Sequence, residues 1–330
     1  MAQRREGHAA SVLPDGRVLV VGGTESYFIG GGTDVRPLAA AELFDPTTGT
    51  WTAAMDMTVA RASPTATTLA DGGVLVVGGT LEPLSELFDP ASGSWTTATM
   101  TQPRRNGHTE TLLADGRVLV VGGYGVNRSA EIFDPSAGTW SAVPSTGDGR
   151  EAHTATRLED GRVLVAGGVV GYGRALDTSE LFDPGRNAWA RSGSLSDARW
   201  SQAAWLLDDG GVLVTAGYCC GDVPEVVGSV ERYDPASGTW SLVARPGLGL
   251  RAIAVLLDGR VLALSPGEVG IDVYLIEAAT GTLTVAPRMT ERCDGTAALL
   301  PDGRVLVTGG GDLEGGSSDC AELYDPAAGP

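Results

Sequence analysis

One phrase recurs seven times along this 330-residue chain: DGRVLVVGG from Asp15, DGGVLVVGG from Asp71, DGRVLVVGG from Asp115, and variants from Asp160, Asp209, Asp258 and Asp302. A self-similar period of roughly 50 residues belongs to solenoids, arrays and propellers, in which one unit cannot bury its apolar face alone and stacks on its neighbours. A second phrase follows each time: LFDPTTGTW from Leu43, LFDPASGSW from Leu87, IFDPSAGTW from Ile132, LFDPGRNAW from Leu181, RYDPASGTW from Arg232, a decayed LIEAATGTL from Leu275, and LYDPAAGP from Leu323. Each unit opens on an arginine: Arg5, Arg61, Arg105, Arg150, Arg199, Arg251 and Arg292. The repeats run over residues 4–57, 58–101, 102–146, 147–195, 196–247, 248–288 and 289–330, one domain throughout.

Each repeat reads as four short strands. The run VLVV, the AELF stretch and the segment after the tryptophan are bounded by Asp-Gly, Gly-Gly and Asp-Pro turn signals. Asp-Gly closes a tight hairpin between the first two strands, since glycine takes positive φ without a Cβ penalty, and DPxxG joins the third to the fourth. No helix is required. One such sheet cannot bury both faces, but seven packed radially can, with Trp51, Trp95, Trp140, Trp189 and Trp240 filling the space between neighbouring blades.

The double glycine, the acidic residue beside an aromatic and the tryptophan that follows resemble the kelch-repeat family, over essentially the whole chain. The resemblance implies an all-β, seven-bladed kelch-type β-propeller with four-stranded antiparallel blades, similar to the central propeller of galactose oxidase. Repeat 6 departs from the pattern, with Ser265 and Pro266 in the double-glycine region and Leu283 in place of the tryptophan. Repeat 7 stops at Pro330 before any fourth strand, so either the last blade has three strands and an exposed edge, or the chain is a fragment.

Charge narrows the partners. A net charge of −18 argues against nucleic acid and an anionic membrane surface, both of which need clustered cations. All 23 basic residues are arginine, as a GC-rich bacterial gene would give. With 42% hydrophobic residues disorder is excluded, and no apolar run reaches the length of about 18 residues that a membrane helix needs. A soluble monomer is expected, secreted or cell-surface if a signal peptide belongs to it.

Antiparallel alternation puts the loops after Gly-Gly and the entry to each first strand on one face, and the Asp-Gly and Asp-Pro turns on the other. The turn face is nearly constant and reads as structural. The loop face varies, from residues 80–84 in repeat 2 to residues 24–40 in repeat 1, and variable loops on a rigid scaffold are where binding residues gather. The seven arginines, taken as the first residues of the innermost strands, should ring a channel mouth there. Alternation then gives Gly7, Ser63, Gly107, Ala152, Ser201, Ile253 and Asp294 the same channel-facing side.

Two roles compete for the arginines. Glu42, Glu86, Glu131, Glu180, Glu231 and Glu322 precede the third-strand motif and could neutralise them inside the blades. The kelch resemblance instead implies recognition of an acidic peptide, foremost by Arg105, Arg150 or Arg199. Tyr27, Phe28, Tyr124, Tyr172, Tyr218 and Trp200 gather on the same face, suited to stacking on a peptide side chain or sugar.

His8, His108 and His153 each lie three residues after an arginine, an odd offset that turns them toward neighbouring blades. They do not converge as a metal site requires, no cofactor is expected, and the Tyr, His and Cys set of kelch-fold copper oxidases is not matched. A Cys293–Cys320 disulfide is one reading of the four cysteines; a vicinal Cys219–Cys220 bond or a thiolate metal site is another.

The leading functional reading is a binding module for a protein loop, peptide or glycan. The alternative is an enzyme on the same face, with Asp294, Asp222, Glu225, Glu268 or Asp312 as acid–base candidates. A purely structural repeat domain is the third.

Overall fold

The structure is a computed structural model that describes residues 1–29, 32–104, 106–125, 128–171, 173–219, 225–245, 251–266, 271–278, 280–289, 295–310 and 316–327. Among the described residues seven sheets follow one another along the chain, six of four strands and the last of three, and a two-stranded ribbon is inserted between the second and third strands of the first, fourth and fifth. The fold is the expected all-β propeller of seven blades with a three-stranded last blade. Among the described residues no helix is long and apolar enough to cross a membrane.

The chain divides into two compact units. Residues 1–106, 266–273 and 286–330 form the first, with blades 1, 2 and 7 and part of blade 6; residues 107–265 and 274–285 form the second, with blades 3, 4 and 5 and the rest of blade 6.

In the first unit the strands Val18–Val21 and Val74–Val77 are buried on both faces. Leu19 and Val21 pack with Val74, Val76 and Phe88 of blade 2, whereas Val18 and Val20 pack with Ala298, Leu300 and Leu306 of blade 7. One strand serves two interfaces, so its sequence is a continuous apolar run instead of an alternation. Trp95 closes the blade 1–2 interface: its ring lies 4.9 Å from that of Phe88, and its indole N–H donates to the Met55 carbonyl at 2.7 Å. Blade 7 joins blade 1 through the Arg5 amide on the Ser318 carbonyl at 2.9 Å and the Gly310 amide on the Arg5 carbonyl at 3.2 Å.

The second unit repeats the scheme. Leu119 and Val121 pack with Val163, Val165 and Phe182; Leu164 packs with Val212, Val214 and Tyr233; Leu213 packs with Val261 and Ala263. Trp189 donates to the Pro144 carbonyl of the preceding blade at 2.8 Å and Trp240 to Ser179 Oγ at 3.2 Å. Trp95, Trp189 and Trp240 thus bridge blades as their spacing predicts.

The double glycine exists for the next blade. At Gly22, φ is +63°, and a Cβ would lie 3.0 Å from the Arg61 carbonyl and 2.9 Å from Pro64 Cγ. The Gly23 amide donates to that same carbonyl at 2.9 Å. In blade 5 the first position is Ala216, held at φ +63°. A left-handed conformation costs an L-residue about 1–2 kcal/mol. Ala216→Gly is therefore expected to raise the midpoint of thermal unfolding by about 1–2 °C for a chain of this length. Calorimetry showing a lower midpoint would mean that the methyl packs well enough to outweigh the strain.

One expectation is corrected. Arg251 does begin its strand, Arg251–Val255, but in five other blades the first strand starts after the arginine, at Ala9, Thr65, His108, Thr154 and Ala203. Gly7, Ser63, Gly107, Ala152 and Ser201 lie in that preceding turn with φ of 58°, 53°, 67°, 50° and 51°. Their small size answers to a left-handed backbone, so strand alternation from the arginine does not apply to them. The Ile253 side chain and Asp294 lie outside the described residues.

Candidate functional site

The arginines are clasps for the loops. Arg5 Nη1 donates to the carbonyls of Gly22 at 2.9 Å and Ala40 at 3.1 Å, which bracket the blade 1 loop, and Nη2 meets Glu42 Oε2 at 2.8 Å. Arg61 spans Gly78 and Leu84 in the same way and pairs with Glu86 at 3.1 Å. Arg150 spans Gly167 and Thr178 and pairs with Glu180 at 2.9 Å; Arg199 spans Ala216 and Ser229 and pairs with Glu231 at 2.6 Å.

All four are fully buried. Burial pulls the guanidinium groups of Arg5, Arg61 and Arg199 below their ordinary range, opposed by the facing glutamates. The clasp fixes the two ends of each loop whatever its length, so loops can vary on a constant base.

These four arginines therefore occupy the blade interior and present no surface to a ligand, which corrects the expectation of a ligand-contacting ring at Arg5, Arg61, Arg150 and Arg199. The physical reason is supply: within each blade backbone carbonyls and a glutamate accept from the Nη donors of the guanidinium. Arg105 and Arg292, the Arg251 side chain, and Tyr172 lie outside the described residues.

The surface begins one residue later. Glu6, Glu151 and Trp200 each follow a clasp and form a backbone bridge with the first residue after the double-glycine position, Thr24, Val169 and Tyr218 respectively. Three of the variable loops then fold into ribbons: Thr24–Ile29 with Gly32–Pro37, Val169–Val170 with Arg174–Ala175, and Tyr218–Cys219 with Glu225–Val226. Trp200 and Tyr218, both half-buried, stack at the base of the third with ring centroids 5.2 Å apart. Tyr124 is 57% exposed.

Glu6 accepts from Ser26 Oγ at 2.6 Å. Burial pushes the Glu151 carboxyl above the usual carboxylate range. Sequence reasoning had passed over Glu6 and Glu151. The available signal was that the position after each invariant arginine varies freely: Glu6, Ala62, Asn106, Glu151, Trp200, Ala252, Cys293.

Residues 7–58 and 108–147 match the family described as Kelch motif. The solved structure of YjhT matches with a TM-score of 0.62 over 87% of this chain and 99% of that one, at 16% identity. The chain has the fold of a β-propeller, and two of its repeats match the kelch motif. No curated protein matches it in sequence.

Within this fold His8 and His153 pack between blades. His8 Nε2 lies 2.8 Å from Thr308 Oγ1 and His153 Nε2 lies 2.9 Å from Thr109 Oγ1. Gln202 takes the same position in blade 5, its Nε2 donating to the Ala166 carbonyl at 2.7 Å. Cys320 is disulfide-bonded; Cys220 and Cys293 lie outside the described residues, as do Asp222, Glu268, Asp294 and Asp312. Glu225 sits exposed on the third ribbon. Among the described residues no group of three His, Cys, Asp or Glu could hold a metal ion.

On the turn face of the second unit, one cleft of about 370 Å³ is lined by Asp115, Asp160, Arg162 and Asp183, and another of about 280 Å³ by Glu159, Asp160, Asp209 and Asp234. Their aspartates are committed to the turns. Asp160 pairs with Arg162 at 2.6 Å and Asp115 with Arg117 at 2.6 Å. The Ser237 hydroxyl of the same turn holds Asp234 below the usual carboxylate range.

Proposed function

We propose that this kelch propeller is a recognition module that binds a protein or peptide through its post-glycine loops and the side chains following the arginine clasps. The observation that carries the reading is that these loops expose large apolar side chains, although Met55, Leu242, Leu257 and Val285 are exposed elsewhere on the molecule. In the first unit Val35 (52%) and Leu81 (65%) stand on these loops, and in the second Tyr124 (57%) and Val226 (52%) do. Apolar side chains exposed on loops anchored to a rigid base are the composition of a protein-binding surface. A glycan could use the Trp200–Tyr218 pair but leaves Val35, Leu81 and Val226 without a role. With Arg5, Arg61, Arg150 and Arg199 inside the blades, the case for an acidic ligand held by guanidinium groups is weakened.

A second reading, an acid–base enzyme on the same face, is favoured by the raised pKa of Glu151 alone. Peptide and glycan arrays probed with the wild type, Trp200→Ala and Tyr124→Ala separate these readings. Peptide binding is expected, with Trp200→Ala weakening it at least about tenfold, the scale of an aromatic hot spot. Binding confined to glycans, or indifferent to both substitutions, would overturn the proposal.

A further inference from the structure

The ligand's charge can be read from what surrounds the aromatic pair. Arg150 and Arg199 are buried clasps, while the residues after them, Glu151 and Trp200, reach the surface half-buried. The Ser201 amide donates to the Ala152 carbonyl at 2.7 Å, which sets blades 4 and 5 side by side one residue beyond and makes Glu151 and Trp200 neighbours in the row. Each is fastened to its ribbon by two backbone hydrogen bonds: Glu151 with Val169 at 3.1 and 2.8 Å, Trp200 with Tyr218 at 3.0 and 2.9 Å. The site is thus held by the backbone, not by the side chains that would meet a ligand.

Among the described residues the Glu151 carboxylate has no hydrogen-bond donor and no cation beside it. The described residues of the two ribbons flanking it carry one charge of each sign, Arg174 and Glu225, so among the described residues Glu151 decides the local sign. We propose that Glu151, Trp200 and Tyr218 receive a cationic side chain, the guanidinium of arginine or the ammonium of lysine, on a protein ligand. This rests on the recognition reading above.

A partly desolvated carboxylate gains a charge-assisted hydrogen bond from such a group, and the face of an indole or phenol ring attracts it. The molecule already builds this combination for itself: in the blade 1 ribbon the Arg36 guanidinium sits 5.3 Å from the Tyr27 ring centroid and 3.2 Å from Asp34 Oδ2. A net charge of −18 further raises the encounter rate with basic partners at low salt.

The test uses acetylated glycine pentapeptides with a central arginine, lysine, glutamine or glutamate, titrated by ligand-observed NMR and tryptophan fluorescence. The arginine and lysine peptides are expected to bind at least about tenfold more tightly than the other two. Glu151→Gln should bring the arginine peptide down to the level of the glutamine peptide, and Trp200→Ala should abolish the preference. Glu151→Gln changes a half-exposed side chain without altering its shape, and an unchanged thermal midpoint verifies that it folds.

If glutamine or glutamate peptides bind as well as the basic ones in a Trp200-dependent manner, the cationic assignment falls while the recognition module stands. If array ligands show no dependence on Trp200 at any charge, both fall.

Discussion

Replacing Glu86 by alanine is expected to lower the unfolding free energy by about 3–5 kcal/mol, seen as a fall in the urea midpoint at unchanged slope. Arg61 and Glu86 are both fully buried, and their pair at 3.1 Å is one part of a denser set of bonds. Glu86 Oε2 accepts from the Thr58 amide at 2.7 Å and the Thr58 hydroxyl at 2.6 Å, and Oε1 from the Val59 amide at 3.3 Å. Arg61 in turn donates to Gly78 and Leu84. Without Glu86 a guanidinium remains in a site where burial already pulls its pKa down, and two backbone amides lose their acceptor.

A simple buried ion pair can often be exchanged for apolar residues without loss. Here the double variant Arg61→Met with Glu86→Leu should stay destabilised, because the backbone groups of Thr58, Val59, Gly78 and Leu84 are left unpaired at about 1–3 kcal/mol each. A double variant as stable as the wild type would show that the clasp is dispensable.

Acid should weaken the blade 7–blade 1 junction before it protonates most carboxylates. His8 is buried, its Nδ1 has no partner among the described residues, and burial together with Arg5 lowers its pKa from 6.5 to about 3. A base depressed in the fold takes up its proton only on unfolding. Its neutral form therefore contributes fully above pH 6.5, and that contribution is lost as pH falls from 6.5 toward 3.

The slope in that window is about 1.4 kcal/mol per pH unit, or about 3 kcal/mol between pH 6.5 and 4. His8→Gln should remove it, since Gln202 shows that glutamine fits the same position in blade 5 with its amide on the Ala166 carbonyl. Urea titrations of both proteins across this range check the point. Parallel curves for wild type and His8→Gln would assign the acid lability to other groups.

Much of this was legible in the sequence because it follows from local chemistry. Asp-Gly and Asp-Pro fix turns, VLVV announces a strand buried on both faces, and His8 and His153, at an odd offset from an arginine, do face the neighbouring blade. The partner glutamates Glu42, Glu86, Glu180 and Glu231 were also foreseeable by their place before the third strand.

The blade 1 ribbon left a weaker trace, the TESYFI and TDVRP segments about a Gly-rich turn. The left-handed turn after five of the arginines left less. Gly, Ser and Ala two residues on suit a narrow channel and a positive φ equally well, and composition does not tell the two apart.

The sequence by itself determined the seven repeats, their strands and the face on which variation gathers, because these depend on residues near one another along the chain. Only the tertiary structure decided what the repeated arginines do. A guanidinium at a loop base looks the same in sequence whether it meets a ligand or its own blade. The choice depends on whether two carbonyls at the ends of the following loop and a glutamate further on converge upon it, and at Arg5, Arg61, Arg150 and Arg199 they do.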